Sequence, residues 1–309
     1  LAYVTPWNGH GYDVARTFRG KFDLLSPTWF QVPWKEEDKE EWMIQGGHDV
    51  DVDWIQDVRT NGTGWIVPRF SFQGWTLPQY QALMQDATQA LANGIAQAIL
   101  DQVEEHGFDG VTLECAAVYA LDSFLDVLGS ALRDQGKLLI LVLPPHREGQ
   151  MYPFTPEWRK KVDGSVDYYS LMTYDYSVAS GSGPNAPVRW MEEAVEALLG
   201  PSPTPAQRAK VLLGLNFYGY AFNPMDSSSE AVARPQYLEI LEQSFPNFRW
   251  DRSAKESCGE YTLPSGEIRE VWYPTLKSIA TRVDLARELG VGISIWEIGQ
   301  GLDYFYDLI

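Results

Sequence analysis

The sequence predicts an α/β protein built as a (β/α)8 barrel, and two observations support that fold class. First, short runs rich in β-branched and aromatic residues recur along the 309-residue chain, and most are continuously apolar, as in parallel strands covered by helices. The runs are AYVTPW, DLLSPTWFQV, GWIVPRFSF, GVTLEC, LLILVLPP, YYSLMTYDY, KVLLGLNFYGYAF and GISIWEIG. Second, the intervening stretches carry apolar residues at helical spacing, at 78–106, 122–135, 186–199 and 275–289. Eight such units favour one TIM barrel over residues 1–309 rather than a doubly wound sheet.

The connection between the seventh and eighth predicted strands is longer than a single crossover helix requires. Residues 223–271 end in YTLPSGEIREV, in which LPSGE indicates a hairpin turn between two strand-like pieces. We therefore predict a small insertion over this range. Because it follows the carboxyl end of a barrel strand, we expect it to help wall the barrel mouth, where binding residues lie in this fold.

Charge and composition restrict the classes of partner. The formal net charge is −18, which disfavours an extended surface for nucleic acid or anionic membranes. No apolar run approaches the roughly 20 residues of a membrane-spanning helix. The cysteines, Cys115 and Cys258, have neither the pattern of a disulfide framework nor that of a metal site, and no cofactor motif is present. No metal or cofactor is predicted, and a sequon at Asn61 is a candidate glycosylation site.

Aromatic and hydrogen-bonding residues are concentrated at the carboxyl ends of the predicted strands. They are Trp7, Asn8, Trp29, Arg69, Glu114, Tyr174, Asp175, Asn216, Tyr218, Trp296 and Glu297. In a parallel barrel these ends meet at one face. Aromatic rings cover the apolar faces of a pyranose, while carboxylates, amides and phenols bind its hydroxyl groups. The sequence therefore predicts a saccharide site at the carboxyl face of the barrel.

Several stretches resemble a known family. The chain is similar to the glycoside hydrolases of family 18, the chitinase family, in FDGVTLE, in SLMTYDYS followed by GPNAP, and in LLGLNFYG, YPTLKS and ELGVGISIWEIGQGLDYFYDL. Within the family it resembles the chitinase domain-containing, or stabilin-interacting chitinase-like, group. The resemblance extends from the first predicted strand to the last helix. It implies a chito-oligosaccharide or related glycan as the ligand, and a secreted or lysosomal protein.

The resemblance also indicates that a catalytic residue is missing. The family's fourth strand reads D-G-x-D-x-D-x-E, and its final Glu protonates the glycosidic oxygen, while the substrate's own acetamido group is the nucleophile. With Asp109 and Gly110 in the first two positions, Thr112 and Glu114 take the inner Asp positions and Ala116 takes the position of the acid. Alanine has no proton to donate, and loss of a positioned acid costs about 10²- to 10⁴-fold in rate.

Glu114 is the residue that could replace the lost acid. It lies two residues earlier on the same face of the strand, about 6.6 Å lower along it. We expect a buried or half-buried carboxylate at the pocket floor, hydrogen-bonded to Tyr174, Asp175 or a ligand amide. Catalysis by a displaced acid stays an alternative. A register shifted by two residues would put Glu114 at the acid position, but it would break the match at Asp109 and Gly110.

The resemblance implies that the rest of the family's binding site is present. Tyr174 and Asp175 match the pair that polarises the acetamido group, Met172 packs beside them, Trp296 is the aromatic floor of the central sugar subsite, and Tyr218 is a pocket tyrosine. The predicted ligand-binding set is Trp7, Trp29, Arg69, Glu114, Met172, Tyr174, Asp175, Asn216, Tyr218 and Trp296.

Three functions are consistent with these residues. The leading prediction is a lectin-type chitinase-like protein that binds N-acetylated amino-sugar oligosaccharides without efficient hydrolysis. The first alternative is a glycoside hydrolase that uses Glu114 with Asp175 on a glycan other than chitin. The second is an interaction scaffold whose insertion at 223–271 binds a protein receptor, since a fold alone does not define a function.

Overall fold

The predicted barrel is confirmed in the structure, a computed structural model that describes residues 1–35, 41–59 and 64–309. Within these ranges ten strands form one parallel sheet. They are β1 (Ala2–Val4), β2 (Leu24–Pro27), β3 (Phe30–Gln31), β4 (Trp65–Ile66), β5 (Arg69–Ser71), β6 (Gly110–Glu114), β7 (Leu138–Leu143), β8 (Tyr168–Leu171), β9 (Val211–Asn216) and β15 (Gly292–Trp296). The sequon at Asn61 lies outside the described residues.

In the part of the chain that the structure describes, these ten strands make up the eight strands of a closed barrel. β3 follows β2, and β5 follows β4, after an interruption of two residues each, so that each pair forms one barrel strand. The order is β3-β5-β6-β7-β8-β9-β15-β1-β2-β4. Because β2 pairs with β4 and β3 pairs with β5, the two ends of this order belong to neighbouring barrel strands. The barrel strands coincide with the eight predicted runs.

Helices lie outside the barrel. They are α1 (Gly9–Thr17), α2 (Val52–Arg59), α3 (Leu77–Met84), α4 (Ala90–His106), α5 (Asp122–Asp134), α6 (Pro156–Val162), α7 (Val188–Leu199), α8 (Pro205–Ala209), α9 (Arg234–Ser244) and α10 (Leu276–Leu289). Each predicted helical segment is present, but the one at 78–106 is divided into α3 and α4. The division occurs because the Asp86 carboxylate accepts hydrogen bonds from the backbone N–H groups of Leu91 and Ala92, which starts a new helix.

The insertion follows β9 and forms a second, antiparallel sheet. Its described strands are β10 (Gly219–Phe222), β11 (Ser229–Val232), β12 (Asn247–Asp251), β13 (Glu256–Thr262) and β14 (Ile268–Trp272), in the order β11-β10-β14-β13-β12. The predicted LPSGE hairpin joins β13 to β14, and Leu263 N donates to Glu267 O at 2.8 Å. The sheet runs from 219 to 272 rather than from 223 to 271, because the second half of the seventh predicted run leaves the barrel and pairs with β14.

Two groups of buried apolar residues organise the barrel. The larger fills the space between the sheet and the helices. The smaller lies inside the barrel and consists of Leu1, Tyr3, Leu24, Val67, Ile140, Val142 and Leu212. Met172, just after β8, and Trp296, at the end of β15, pack against this interior cluster. The barrel interior is therefore a packed core, and Trp296 lies at its carboxyl end.

None of the helices in the described ranges combines the length and the apolarity needed to span a membrane.

Candidate functional site

The barrel strands place several predicted site residues at one end of the sheet. Glu114 is the last residue of β6, Asn216 of β9 and Trp296 of β15. Arg69 begins β5 and is paired with Thr112 of β6. Because side chains alternate along a strand, Thr112 and Glu114 point to the same side of the sheet, the barrel interior.

Arg69, Glu114 and Trp296 form a contiguous group at this end. Nη1 of Arg69 donates to Oε2 of the half-buried Glu114 carboxylate at 2.8 Å. The guanidinium carbon lies 5.8 Å from the centroid of the Trp296 ring, within the range of a cation–π contact. Glu114 is thus the half-buried carboxylate that the sequence predicts, but its hydrogen-bond partner within the protein is Arg69 rather than Tyr174 or Asp175.

Tyr3 supports Trp296 from inside the barrel. The two ring centroids are 5.2 Å apart. The Tyr3 hydroxyl donates to Ser170 Oγ at 2.9 Å, and Ser170 donates in turn to Ser294 Oγ at 3.0 Å. Burial raises the pKa of Tyr3, and the nearby Glu114 carboxylate also raises it, so the phenol stays neutral. Trp296 therefore has a fixed position between Tyr3 and Arg69.

Asp175 is held by two tyrosines at the border between the barrel and the insertion. The Tyr218 and Tyr220 hydroxyls both donate to Asp175 Oδ1, the second at 3.0 Å. Burial raises the pKa of both phenols, and the Asp175 carboxylate contributes to the shift, so both remain hydrogen-bond donors at neutral pH. Since Oδ1 has two donors, Oδ2 is the oxygen with free capacity to accept a hydrogen bond from a ligand.

Tyr174 lies beside these groups. Its ring centroid is 6.2 Å from that of Tyr218. Burial raises the pKa of Tyr174 well above its ordinary value, and the Asp175 and Glu114 carboxylates contribute to the shift. Gly214 leaves room for the ring, because a Cβ at that position would lie 3.1 Å from Cε1 of Tyr174. The phenol is therefore a neutral donor placed near two carboxylates.

An alanine stands at the position that the resemblance assigns to the catalytic acid. Ala116 lies two residues beyond the end of β6 and is exposed. At the start of this strand the Asp109 carboxylate accepts a hydrogen bond from Ile66 N at 2.8 Å. A Cβ on Gly110 would lie 2.4 Å from the backbone oxygen of Leu138, so only glycine fits there. Both contacts fit the register in which Asp109 and Gly110 open the motif.

Trp29 requires a correction to the predicted site. Its side chain is 0% exposed, donates through Nε1 to the Tyr12 hydroxyl at 2.7 Å, and packs against Trp54 and Phe108. These partners belong to the core between the sheet and the helices. Trp29 follows β2 and turns outward from the barrel, so it has no surface on which a ligand could stack.

The other predicted residues have different exposures. Trp7 is 68% exposed on the loop between β1 and α1, where its ring is free to meet a ligand at the rim. Asn216 is buried and donates through Nδ2 to the backbone oxygen of Tyr218 at 2.7 Å, so it holds the backbone of Tyr218 in place. Met172 is half-buried against the interior cluster.

Glu297 is buried directly behind Trp296. Its Oε1 accepts a hydrogen bond from Asn8 Nδ2 at 2.6 Å, and its Oε2 accepts one from Gly299 N at 2.7 Å. Burial raises the pKa of Glu297 to about 7, although both hydrogen bonds oppose the shift. Glu297 connects the loop after β1 to the loop after β15, and thus supports the site without facing it.

Four residues of the site are absent from the predicted set. Tyr3 and Tyr220 lie on strands, and strand alternation is the signal that could have found them, since Tyr220 is two residues after Tyr218. Arg147 and Asn185 contact the backbone of Asp175 from separate loops. No local pattern marks such contacts.

A cavity of about 810 Å³ opens at the opposite, amino end of the barrel, and its lining includes Leu1, Leu138 and Ile293. No predicted site residue lines it, and binding residues of this fold lie at the carboxyl end. The side-chain chemistry therefore locates the candidate site better than this cavity does. Among residues 1–35, 41–59 and 64–309, no group of three or more His, Cys, Asp or Glu is arranged to hold a metal ion.

Comparisons with known proteins identify the family. The model described as "Glycosyl hydrolases family 18" matches residues 68–301. Two curated relatives are the cortical fragment-lytic enzymes of Bacillus subtilis (strain 168), 30% identical over 141 residues, and of Bacillus anthracis, 24% identical over 232 residues. The alignments cover 43% and 70% of this chain, and 32% and 52% of the relatives. The chain thus spans about a third to a half of the length of these relatives.

Solved structures share the whole fold. The chitinase of Chromobacterium violaceum ATCC 12472 has a TM-score of 0.82 at 19% identity, over 100% of this chain and 97% of that chain. A variant of the family 18 chitinase of Cycas revoluta in complex with (GlcNAc)4 has a TM-score of 0.76 at 16% identity, over 99% and 96%. The fold is that of a glycoside hydrolase barrel. Since the family model matches most of the chain, the protein belongs to glycoside hydrolase family 18.

Proposed function

We propose that this protein binds oligosaccharides of N-acetylated amino sugars at the carboxyl face of its barrel without hydrolysing them efficiently. One observation carries the proposal. An aromatic floor at Trp296, held between Tyr3 and Arg69, lies at the same end of the barrel as Tyr174 and Asp175. It is combined with Ala116 at the position that the resemblance assigns to the acid. These groups are of the kind that hold a sugar, and alanine at position 116 cannot protonate a leaving oxygen.

The binding half of the proposal rests on three groups. The half-buried Trp296 offers a ring face of the kind that covers the apolar side of a pyranose. Asp175 Oδ2 is available for an amide N–H or a hydroxyl, and the neutral Tyr174 phenol is a donor for an acetamido oxygen. The Cycas revoluta chitinase, which has the same fold, was solved with (GlcNAc)4 bound.

The non-catalytic half rests on Glu114. It is the last residue of β6, whereas Ala116 lies two residues further on, in the turn after the strand. Oε2 of Glu114 accepts a hydrogen bond from the guanidinium of Arg69, so this oxygen already has a partner within the protein. An acid must be within about 2.6 to 3.2 Å of the oxygen it protonates, and the alanine at position 116 has no group that could make such a contact.

The experiment is calorimetric titration with chito-oligosaccharides of two to six sugars, together with an assay for released reducing ends from pH 3 to 8. We expect saturable binding with a Kd below about 1 mM and no turnover above the protein-free rate. Absence of binding at millimolar ligand would remove the lectin function.

A second function is favoured by the names of the curated relatives, which are lytic enzymes. In this alternative Glu114 acts as a displaced acid, with Asp175, on a glycan other than chitin. It predicts turnover of bacterial cortical fragments with a bell-shaped pH profile that Glu114→Gln abolishes and Glu148→Gln, an exposed carboxylate on the loop after β7, leaves unchanged. The lectin proposal predicts no turnover in any of these proteins.

Two finer expectations stay predictions: a secreted or lysosomal protein, and membership of the stabilin-interacting group. The first would gain support if the protein from its native cells carried a glycan at Asn61, removable by peptide N-glycosidase and detected by mass spectrometry. An unmodified Asn61 would leave no support from this sequon.

A further inference from the structure

The backbone of Asp175 has an unusual conformation that needs external support. Its φ is 62°, in the left-handed region that residues other than glycine rarely adopt. The Asp175 N–H donates to Asn185 Oδ1 at 2.7 Å, and the Asp175 carbonyl accepts from Arg147 Nη2 at 3.0 Å. The residue is therefore held on both sides of its Cα atom, independently of the tyrosines that bind its carboxylate.

Asn185 is itself held by the insertion. Glu256, the first residue of β13, is 7% exposed. Its Oε2 accepts a hydrogen bond from Asn185 N at 3.0 Å, and its Oε1 accepts one from Ala186 N at 2.7 Å. The carbonyl of Asn185 accepts from Tyr176 N at 2.9 Å, next to Asp175. Both carboxylate oxygens of Glu256 thus bind the backbone at Asn185 and Ala186, and the Asn185 side chain in turn binds Asp175.

A buried arginine completes this network. Arg282 of α10 is 2% exposed and donates to Glu256 Oε1 at 2.9 Å. It also donates to the backbone oxygens of Lys255 at 3.0 Å and Ser278 at 2.9 Å. Burial lowers the pKa of Arg282, and Glu256 opposes that shift. A buried ion pair often stabilises a fold no better than apolar side chains would, so stability alone does not explain this pair.

We propose that Glu256, neutralised by Arg282, is a positioning residue of the sugar site. Through Asn185 it holds Asp175 in the left-handed conformation that keeps the carboxylate against Tyr218 and Tyr220. The inference rests on the proposed function in one respect, the role of Asp175 as a ligand contact. Because Glu256 belongs to the insertion, the insertion would influence the affinity for the sugar through Asp175, without a ligand contact from Glu256 itself.

The test is a double-mutant cycle on the affinity for (GlcNAc)4, measured by calorimetry well below the melting temperature. The fitted stoichiometry counts folded protein, so loss of fold is separated from loss of affinity. We expect Glu256→Gln to raise Kd about tenfold in the wild-type background. In an Asp175→Ala background the same change should alter Kd by less than about twofold, since the residue it positions is gone. Equal effects in both backgrounds would overturn the proposal.

A matched control separates positioning from stability. Asp163→Asn removes the charge from the partner of another buried arginine, Arg159 of α6, whose Nη1 contacts Asp163 just after that helix at 2.5 Å. It should lower Tm and leave Kd unchanged. If Glu256→Gln behaves in the same way, Glu256 is structural only. Asn185→Ala tests the next step of the network separately, because it removes the Oδ1 acceptor of Asp175 N and keeps the backbone N–H that Glu256 binds.

Crystal structures of the variants decide the question even if no sugar binds, which keeps the two proposals distinguishable. The expected result is that Asp175 leaves its left-handed conformation and separates from the Tyr218 hydroxyl in Glu256→Gln or Asn185→Ala. An unmoved Asp175 in a folded variant would overturn the inference. Absence of binding by the wild-type protein would overturn only the proposed function.

Discussion

Glu114 already has an opposite charge beside it within the protein. Arg69 binds its carboxylate at 2.8 Å, and the same guanidinium lies 5.8 Å from the centroid of the Trp296 ring. Arg69 Nε is buried without a hydrogen-bond partner. The charges of this ion pair largely cancel, and the buried Nε is out of reach of a ligand. If the proposed site is occupied, we therefore expect a neutral ligand beside Trp296 rather than a charged one.

The aromatic floor gives the first prediction. Trp296→Ala should weaken (GlcNAc)4 binding by about 10- to 100-fold, because the ring supplies the apolar face on which a pyranose stacks. Trp65→Ala is the matched control, since Trp65 is exposed at the start of β4, at the other end of the barrel. Calorimetry would report both values, and equal affinities for the two variants would contradict the assignment of the floor.

Ala116 gives the second prediction. Ala116→Glu should raise the release of reducing ends from chito-oligosaccharides by about 10²-fold or more over the wild-type protein, because it restores an acid at the family's position. Ala116 is exposed beyond the end of β6, so the longer side chain displaces no packed atoms. Ala116→Gln, of equal size but without the acid, should remain inactive. No gain from Glu would show that more than the acid is missing.

At the scale of elements, the close approach of β8 and β9 decides where Tyr174 lies. A Cβ on Gly214 would lie 2.0 Å from the backbone oxygen of Leu171 and 3.1 Å from Tyr174 Cε1. No side chain fits this position without a shift of the backbone. The glycine of β9 thus permits both the strand pairing and the placement of the phenol beside Asp175.

Gly214→Ala is the third prediction. It should lower the free energy of unfolding by about 2 to 4 kcal/mol, because the added methyl group overlaps backbone atoms. Gly9→Ala is the matched control: nothing lies within 4 Å of a Cβ built at Gly9, and the residue begins α1. That change should be neutral or stabilising by up to about 1 kcal/mol. Urea unfolding would compare them, and a loss of less than about 1 kcal/mol for Gly214→Ala would contradict the argument.

At the scale of the whole molecule, the barrel closes where its first and last strands meet. β1 pairs with β15, and Glu297 connects the loops that follow these two strands through Asn8 and Gly299. Burial raises the pKa of Glu297 from an ordinary 4.5 to about 7. The folded protein therefore keeps a proton on Glu297 at pH values at which the unfolded chain has released it.

This difference gives the fourth prediction. Because the folded state binds more protons, the contribution of Glu297 to stability falls as pH rises from about 4.5 to about 7 and is constant above that range. The loss is on the order of 3 kcal/mol. Urea unfolding at pH 4.5, 6 and 8 should show a smaller decline in Glu297→Gln than in the wild-type protein. Glu288→Gln, an exposed residue of α10, should follow the wild-type curve, and a Glu297→Gln curve parallel to it would contradict the prediction.

Local patterns were sufficient to predict the barrel. The apolar runs mark the barrel strands because burial on both faces selects β-branched and aromatic residues, and that selection acts on each strand separately. By resemblance, the family motif assigns the acid position to Ala116, and the contacts of Asp109 and Gly110 at the start of β6 are compatible with that register. Turn chemistry identified the LPSGE hairpin for the same reason, since it depends on only a few adjacent residues.

By itself, then, the sequence determined the fold class and the insertion after the seventh barrel strand, and by resemblance it predicts the replacement of the acid at Ala116. Only the tertiary structure decided that Trp29 faces the helices, that Arg69 binds Glu114, and that Glu256 reaches Asp175 through Asn185. The reason is physical. Element type follows from the periodicity of neighbouring residues, whereas these contacts join residues distant in sequence, and they form only when barrel closure and strand register bring them together.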